Sequence, residues 1–450
     1  MKKNGYLMFA VLLLEFVFLW NISLFSQEAK IESQDYKARR DKLCSLIPDG
    51  VAILVNTSSR TGFGRTRPNA DFYYLTGVDV PDAKLILVPQ KIAKKLPKPE
   101  YWNTTLYLPP KDPRRGVWDD VQLFPGDEAV KQTGIENTAE LSTFNSAVSR
   151  LATITDVVYL PIGSGAPSPL VPSGGMEFVE SIKRILPGAR LKNLNPILGD
   201  LRWSKSPQEI DIMKKACAIT AEAFKESARI TKPGVWEYQI DALVDYLFRS
   251  NGSDGNAFLI IGSGPNSCIL HHSLNDRLMK EGELVVIDIG TIYKAVTTDL
   301  TRTIPVSGSY SPEQKKIYGI VLDAQKKAIS MVRPGVTLAE LHQAAMDVIA
   351  KAGYGRYFIH GLSHTLNGGA ASNPTSLGIS SKPILDKPLL AGSMFTVEPG
   401  IYIPEKNLGV RIEDDILVTR NGYEILTKDA PKEIEDIEKL MKEKTVYIIK

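Results

Sequence analysis

One phrase of the sequence occurs twice and constrains the fold more than any other feature. A segment with helical periodicity ends at Pro-Gly-Val and a second helical segment follows, first around residues 233–235 and again around residues 334–336. Each copy is followed by strand-like sequence, as expected if two similar halves pack around one sheet. Two copies alone can also arise by coincidence. The repeat therefore favours, without requiring, a half of the chain with internal pseudo-twofold symmetry.

Local signals place the helices of both copies. Ser206 is a candidate N-cap, with proline at the first helical position and Glu209 in the capping-box position. Gly353 is a stop signal after the last helix. The four predicted helices cover residues 207–230, about 237–249, 312–332 and about 338–352.

The sequence before residue 200 has a different character, and the change falls at the polar stretch 202–209. Residues 36–200 are predicted to form one α/β domain and residues 206–450 a second, so the fold class is α/β (α+β). The aromatic segment 69–77 is interpreted, on composition alone, as a strand packed in a core. Further strands are predicted at residues 51–55, 85–88 and 157–160.

Composition excludes several functional classes. The formal net charge is +3 and no block of like charges forms a footprint for nucleic acid. Three cysteines, odd in number and far apart, form neither a disulfide framework nor a thiolate metal site. Any metal must therefore be bound by oxygen and imidazole ligands.

The first 26 residues have the pattern of an export signal, because two lysines precede an apolar run over residues 6–24. Glu15 within the run weakens this pattern. Cleaved export to a periplasm or to the medium is expected first. An uncleaved membrane anchor is the second interpretation, and a cytoplasmic protein with a misassigned start is the third.

Carboxylates interrupt the strand-like segments of the second half. Asp288 lies in an apolar segment, 283–290, where an unpaired carboxylate is costly and needs a cation or several donors. Asp299 follows in a β-branched segment, 296–304, and a hairpin would place the two carboxylates side by side. Both cannot stay ionised there without a metal or a shared proton. Either one alone is more typical of a helix cap or a salt bridge.

The pattern repeats further along the chain. Glu398 ends an apolar strand before Pro-Gly, and Glu413 lies within another predicted strand. Between the two aspartates and these two glutamates, His360 and His364 share a loop. Such an oxygen-rich, nitrogen-poor set suits two divalent cations. Manganese is expected first, with cobalt, iron or zinc as the next choices. The two ions would lie about 3.5 to 4 Å apart with a bridging hydroxide between them.

In these settings the residues resemble the ligand set of the pita-bread metallopeptidases, which include aminopeptidase P, prolidase, methionine aminopeptidase and the non-metal creatinases. The chain carries the five motifs in order: Val-Ile-Asp-Ile-Gly, Thr-Thr-Asp-Leu-Thr-Arg, His-Gly-Leu-Ser-His, Thr-Val-Glu-Pro-Gly and Val-Arg-Ile-Glu-Asp. Residues 69–77 and 81–89 are similar to the N-terminal domain of aminopeptidase P, which favours that family. Intact ligands disfavour the creatinases. The resemblance implies a pita-bread catalytic domain behind a smaller α/β domain.

The resemblance also implies roles by position. Asp288 binds one metal, His364 and Glu398 bind the other, and Asp299 and Glu413 bridge both.

Three further residues take roles from the resemblance. His271, with His272 and Asn275 nearby, matches the histidine that approaches the substrate backbone. His360 matches the histidine expected near the P1 carbonyl or the proline side. Arg411 either helps to shape that pocket or forms an ion pair with Asp414 or Asp415.

The implied activity is that of an Xaa-Pro aminopeptidase, an exopeptidase that releases the N-terminal residue from peptides with proline in second position. Hydroxide bridging two metals would attack the carbonyl carbon, and Glu398 would carry the proton to the departing nitrogen. A homo-oligomer is expected by family habit, and a prolidase acting on Xaa-Pro dipeptides is an alternative.

One position departs from the family pattern. Ala371 stands where the family carries a further histidine, seven places after His364. Losing one donor to the developing oxyanion lowers turnover about 100- to 1,000-fold. A catalytically impaired member that binds metal and peptide without efficient cleavage is therefore a second alternative.

Overall fold

The computed structural model describes residues 30–57, 68–94, 104–111, 123–162, 174–366 and 385–447. The predicted leader and Ala371 lie outside these described residues. Within the described ranges, none of the helices is both long enough and apolar enough to cross a bilayer.

The part of the chain before residue 202 is a mixed six-stranded sheet with helices on both faces. Alternate residues of its central strand enter two different buried clusters, Ala52 and Leu54 in one and Val51 and Ile53 in the other, so both faces are covered. The strands are β1 (Val51–Val55), β2 (Lys84–Leu87), β3 (Thr105–Leu108), β4 (Asn137–Glu140), β5 (Val157–Leu160) and β6 (Arg190–Asn193), in the order β4-β3-β2-β1-β5-β6. The helices are α1 (Ser33–Leu46), α2 (Ala70–Thr76), α3 (Gln90–Ala93), α4 (Asp127–Thr133), α5 (Phe144–Leu151), α6 (Gly174–Ile185) and α7 (Asn195–Leu201).

The interpretation of residues 69–77 as a strand is wrong, because this segment is helix α2. The Asn69 side chain accepts hydrogen bonds from the backbone N–H groups of Asp71 and Phe72, and so caps the helix start. Gly77 ends the helix in the left-handed conformation, with φ at 66°. These two end signals decide the structure, whereas aromatic content alone fits a helix as well as a strand.

The second part of the chain carries longer helices and several small sheets. Its elements are α8 (Pro207–Ile230), α9 (Glu237–Ser250), β7 (Gly255–Ser263), β8 (Leu284–Tyr293), β9 (Val296–Thr297), β10 (Leu300–Pro305), α10 (Pro312–Ser330), α11 (Leu338–Lys351), β11 (Met394–Val397), β12 (Gly400–Ile403), β13 (Leu408–Arg411), β14 (Asp414–Val418), β15 (Tyr423–Ile425) and α12 (Ile434–Leu440). The pairing orders are β10-β8-β7, with β9 on β8, then β11-β14-β15 and β12-β13. All four predicted helices are confirmed to within two residues.

The two copies of the Pro-Gly-Val phrase have the same geometry, which confirms the predicted repeat. In the first copy, Gly234 donates to the carbonyl of Met279 at 3.0 Å, and the Met279 N–H donates back to Val235 at 2.9 Å. In the second, Gly335 donates to Leu389 and Leu389 donates back to Val336, both at 2.8 Å. Both glycines have positive φ, at 89° and 92°. Each phrase therefore ties a helix pair to the strand region of its own half.

Two predicted strands are interrupted where they carry an acidic residue. Segment 296–304 breaks before Leu300 because the N–H of Asp299 donates to the Asp415 carboxylate at 3.1 Å instead of to a neighbouring strand. Glu413 lies between β13 and β14, not within a strand as predicted, and its N–H donates to the carbonyl of Thr301 at 2.9 Å. Both acidic residues therefore sit at breaks where the small sheets meet.

Candidate metal centre

Four of the five predicted ligands converge on one point. His364 Nε2 lies 3.1 Å from Asp299 Oδ2, 3.6 Å from Glu398 Oε1 and 3.8 Å from Glu413 Oε1. Asp299 and Glu413 are buried, and the side chains of His364 and Glu398 are 17% exposed. An imidazole and three carboxylates thus share a largely enclosed space.

The fifth predicted ligand, Asp288, is linked to this group through strand pairing and a guanidinium. Asp288 lies opposite Thr301 in the antiparallel β8–β10 pair, and Thr301 Oγ1 donates to Glu413 Oε2 at 2.6 Å. Arg411 forms an ion pair with Asp288 and also donates to Thr301 Oγ1 at 3.2 Å. The expected alternative pairing of Arg411 with Asp414 or Asp415 is therefore wrong, since Asp414 pairs with Arg302 instead.

The main chain aligns His364 with Glu398. The His364 N–H donates to Thr396 Oγ1 at 3.1 Å, and the Thr396 N–H donates back to the His364 carbonyl at 3.0 Å. The Glu398 N–H donates to the carbonyl of Leu362 at 2.9 Å. The loop that carries the histidine therefore runs alongside β11, the strand that ends next to Glu398.

The electrostatics of the cluster are those of crowded, desolvated acids. Burial, with the neighbouring Glu413 carboxylate, raises the pKa of Asp299 and of Glu398 well above their ordinary values. Burial and the charge of Asp288 raise the pKa of Glu413 to about 7. Burial lowers the pKa of His364, so its neutral, metal-binding form is favoured.

The donor set fits divalent cations. Four buried carboxylate oxygens have no hydrogen-bond partner among the described residues. Three belong to predicted ligands, Asp288 Oδ1, Asp299 Oδ1 and Glu413 Oε1, and the fourth is Asp415 Oδ1. Buried polar atoms without partners are rare, and one explanation for them is an ion. Four carboxylates and one imidazole are the ligand types that manganese and related divalent ions prefer.

The sequence predicts two further histidines at this site, His360 and His271. His360 Nε2 is 2.9 Å from the hydroxyl of Tyr402, which also accepts a hydrogen bond from Arg411 at 3.0 Å. His271 is exposed, and its segment is joined to the site through the neighbouring Leu270, whose carbonyl accepts from Arg411 Nη2 at 3.4 Å. The roles implied for these histidines and for the five ligands stay predictions.

Sequence reasoning did not identify the residues that support the centre. Thr301, Tyr402 and Asp415 each hydrogen-bond a predicted site residue, and all three are buried in or beside strands. Asp415 follows Glu413 and Asp414 in one acidic run, and that run was the signal that could have pointed to it.

Comparison with known proteins gives matches over most of the chain. Residues 211–420 match the model of metallopeptidase family M24, and residues 36–159 match the N-terminal domain of aminopeptidase P. The Xaa-Pro aminopeptidase of Escherichia coli is 30% identical over 447 residues, covering 92% of this chain and 98% of that protein. The Xaa-Pro dipeptidase of Pyrococcus horikoshii is 40% identical over 256 residues, covering 56% and 70% respectively.

Solved structures agree with these matches. Aminopeptidase P from Escherichia coli with the inhibitor Pro-Leu superposes with a TM-score of 0.79 at 28% identity, covering 92% of this chain and 98% of that chain. A zinc-substituted form of the same enzyme in complex with product gives a TM-score of 0.80 with the same identity and coverage.

Proposed function

Because the chain belongs to the aminopeptidase P family of M24 metallopeptidases, as its motifs predict, we propose that it releases the N-terminal residue from peptides with proline in second position. The family makes it a metal-dependent aminopeptidase with a pita-bread catalytic domain. The proline preference and the peptide substrate come from relatives named Xaa-Pro aminopeptidase. The observation that carries the proposal is the buried cluster in which His364 lies within 3.8 Å of three carboxylates.

We propose manganese as the native metal, with cobalt, iron or zinc as substitutes. The five residues proposed to hold the two ions are Asp288, Asp299, His364, Glu398 and Glu413. Bound divalent ions would polarise the scissile carbonyl and lower the pKa of a bound water toward neutrality.

The protein's own groups then orient the substrate and move the proton. Glu398, whose Oε1 lies 3.6 Å from His364 Nε2, is proposed to carry the proton to the departing nitrogen. His360, neutral because its pKa is lowered to about 3, can hydrogen-bond the substrate near the P1 carbonyl or the proline side. His271 is proposed to contact the substrate backbone. Arg411 shapes the proline side only indirectly, because its guanidinium is engaged by Asp288 and Tyr402.

The test is hydrolysis of an Xaa-Pro-Yaa tripeptide by purified, manganese-loaded protein beside Asp299→Ala. Release of Xaa by the parent alone is the expected result. Identical product traces from both proteins would overturn the proposal.

A prolidase activity on Xaa-Pro dipeptides is the second candidate, because identity to the Pyrococcus dipeptidases reaches 40% over 256 and 255 residues. The full-length match to the aminopeptidases favours the first candidate, since it covers 98% of the Escherichia coli protein. Comparing Xaa-Pro with Xaa-Pro-Yaa at equal concentration separates them. A prolidase cleaves only the dipeptide.

The position of Ala371 bears on turnover. If the missing imidazole limits the rate, Ala371→His should raise kcat on the tripeptide at unchanged metal content. No rise would remove that argument.

We also propose that the chain is exported through its first 26 residues and acts as a homo-oligomer. Intact mass of the exported protein tests cleavage near Ser26, and light scattering of the purified protein tests assembly.

A further inference from the structure

A buried carboxylate outside the metal cluster organises the segment that carries His271. Glu237 is the first residue of α9, and its side chain is 0% exposed. A charged group in such a place requires several donors. Glu237 Oε1 accepts from the N–H and the hydroxyl of Ser263 at 2.6 and 2.7 Å, and Oε2 accepts from the N–H of Arg277 at 3.1 Å.

Two side chains between Ser263 and Arg277 also contact Glu237. Asn266 Nδ2 lies 3.2 Å from both oxygens of Glu237, and His272 Nε2 lies 3.1 Å from Oε2. One carboxylate therefore fixes both ends of segment 263–277 and two points within it. His271 is the immediate neighbour of His272 in this segment.

The opposite side of the segment contacts the strand that leads to the metal centre. Ser267 Oγ accepts from the N–H of Gly409 at 2.8 Å, and the carbonyl of Leu270 accepts from Arg411 Nη2 at 3.4 Å. Arg411 in turn pairs with Asp288. Segment 263–277 is thus held between Glu237 on one side and the metal-binding strands on the other.

A metal ion is a poor explanation for this second cluster. Ligand atoms of Glu237, His272 and Asp276 lie within 4.8 Å of one another. However, both oxygens of Glu237 already accept N–H and O–H donors, whereas three oxygens of the metal cluster have no partner within the described chain. The filled acceptor positions indicate a structural hydrogen-bond hub.

We propose that Glu237 is a positioning residue for catalysis: its carboxylate holds segment 263–277 so that His271 faces the metal centre. This inference rests on the proposed function, in which His271 contacts the substrate. Glu237→Gln keeps the size of the side chain but replaces one acceptor oxygen with an NH₂ group that faces other donors. Misplacement of a substrate-contacting group by about 1 Å lowers turnover about 100-fold.

The experiment is a double-mutant cycle of Glu237→Gln with His271→Ala, measured as kcat/KM on an Xaa-Pro-Yaa tripeptide. Glu237→Gln alone should lower kcat/KM about 10- to 100-fold with metal content equal to that of the parent. In the His271→Ala background the same change should have an effect of less than about 3-fold, because the group that it positions is absent. The matched control is Glu222→Gln, an exposed carboxylate paired with Lys225, which should match the parent.

Each outcome decides between the possibilities. If Glu237→Gln lowers kcat/KM by the same factor in the parent and in the His271→Ala background, or lowers the metal content, Glu237 does not act through His271. Either result overturns the inference. If Glu237→Gln does not fold, Asn266→Ala, which removes one contact of the hub, enters the same cycle and is judged in the same way. If the parent itself releases no Xaa, the proposed function fails first, and that result is distinct from an active parent with an unaffected Glu237→Gln variant.

Discussion

His360 lies in an environment that disfavours its charged form. Burial and the neighbouring Arg411 guanidinium lower its pKa to about 3. A histidine in the unfolded chain binds a proton near pH 6.5. Between these two values the unfolded state therefore binds more protons than the folded state. The contribution of His360 to stability is fully present above about pH 6.5 and is lost as the pH falls toward 3.

We expect His360→Gln to remove this part of the pH dependence. From pH 7 to pH 5.5 the parent should lose about 1 kcal/mol of unfolding free energy relative to the variant, because each unit of pKa shift corresponds to about 1.4 kcal/mol. Urea unfolding of both proteins at equal metal concentration measures the difference. A constant difference over this pH range would contradict the assignment of a neutral, half-buried His360.

The ligand candidates were visible in the sequence, whereas their supports were not. Asp288 and Glu398 stand out because a carboxylate within or beside an apolar strand demands a partner. Thr301 and Tyr402 are ordinary strand residues, and their importance depends on partners that only the fold supplies. Thr301 meets Glu413 across 112 positions of sequence, and no local pattern encodes such a contact.

At the scale of elements, a buried ionic network braces the strands around the centre. Arg302 on β10 pairs with Asp414 on β14 at 2.7 Å, and both side chains are 0% exposed. Arg302 also donates to the carbonyl of Glu413, and Gln325 on α10 donates to the carbonyls of Val397 and Ile412. The strand ends that carry Glu398 and Glu413 are therefore fixed to one another and to α10.

Arg302→Met should lower the unfolding free energy by about 3 to 5 kcal/mol, because it leaves the Asp414 carboxylate buried with Lys432 as its remaining cation. Arg302→Met with Asp414→Leu should recover part of that loss, since the buried carboxylate that lost its guanidinium partner is gone. Lys326→Met is the matched control, because its pair with Glu433 is exposed and contributes less than about 1 kcal/mol. Chemical denaturation measures all three. An equal loss in the single and double variants would show that the buried Asp414 carboxylate, left without Arg302, is not the cause of the destabilisation.

A second element contact depends on a residue without a side chain. Gly409 on β13 passes so close to the 264–268 turn that a Cβ there would lie 2.0 Å from the carbonyl oxygen of Ser267. Gly409→Ala must push the strand and the turn apart, and we expect about 1 to 3 kcal/mol of destabilisation together with a lower kcat/KM. Gly422→Ala is the control, because no heavy atom of the described chain lies within 4 Å of its added Cβ. Thermal unfolding that is unchanged in Gly409→Ala would contradict the close approach.

The helices of the second half were predictable because their end signals are local. Ser206 and Ser311 both form capping boxes, with Glu209 and Gln314, and both precede a proline. The breaks at Asp299 and Glu413 were not predictable in this way. The N–H of Asp299 donates to Asp415 and the N–H of Glu413 donates to Thr301, so both breaks depend on contacts with distant elements. The local sequence pattern gives no sign of these contacts, and it therefore predicted strands that run on past the two breaks.

At the scale of the whole molecule, the two parts of the chain contact each other through polar pairs near residue 202. Arg202 forms an ion pair with Asp71, and Arg39 lies 3.4 Å from Glu209. Within the first part, the hydroxyl of Tyr74 donates to the carbonyl of Leu201 at 3.3 Å, which fixes α2 to the end of α7 next to these pairs. Helix α2, misassigned from sequence, thus supplies part of this interface. The pairing of the two parts could not be predicted, because isolated arginines and acids are typical of any surface.

Metal binding should couple the centre to the stability of the whole catalytic domain. Without ions, the raised pKa values of Asp299 and Glu398 reflect buried carboxylates that oppose folding at neutral pH. An ion that binds the folded state alone stabilises it by about 2.7 kcal/mol at 100 times its dissociation constant. Calorimetry should therefore show an unfolding temperature that rises with manganese in the parent and falls back with a chelator.

Asp299→Ala should show almost no response to manganese, because it lacks one of the proposed bridging ligands. Without metal, this variant should be at least as stable as the metal-free parent, since the substitution removes a buried acid whose pKa is raised by burial and by its neighbours. The variant should thus be less stable than the parent with manganese but not without it. In a merely structural cluster, loss of Asp299 would destabilise the protein with or without metal. An equal manganese response in parent and variant would place the ion elsewhere on the molecule.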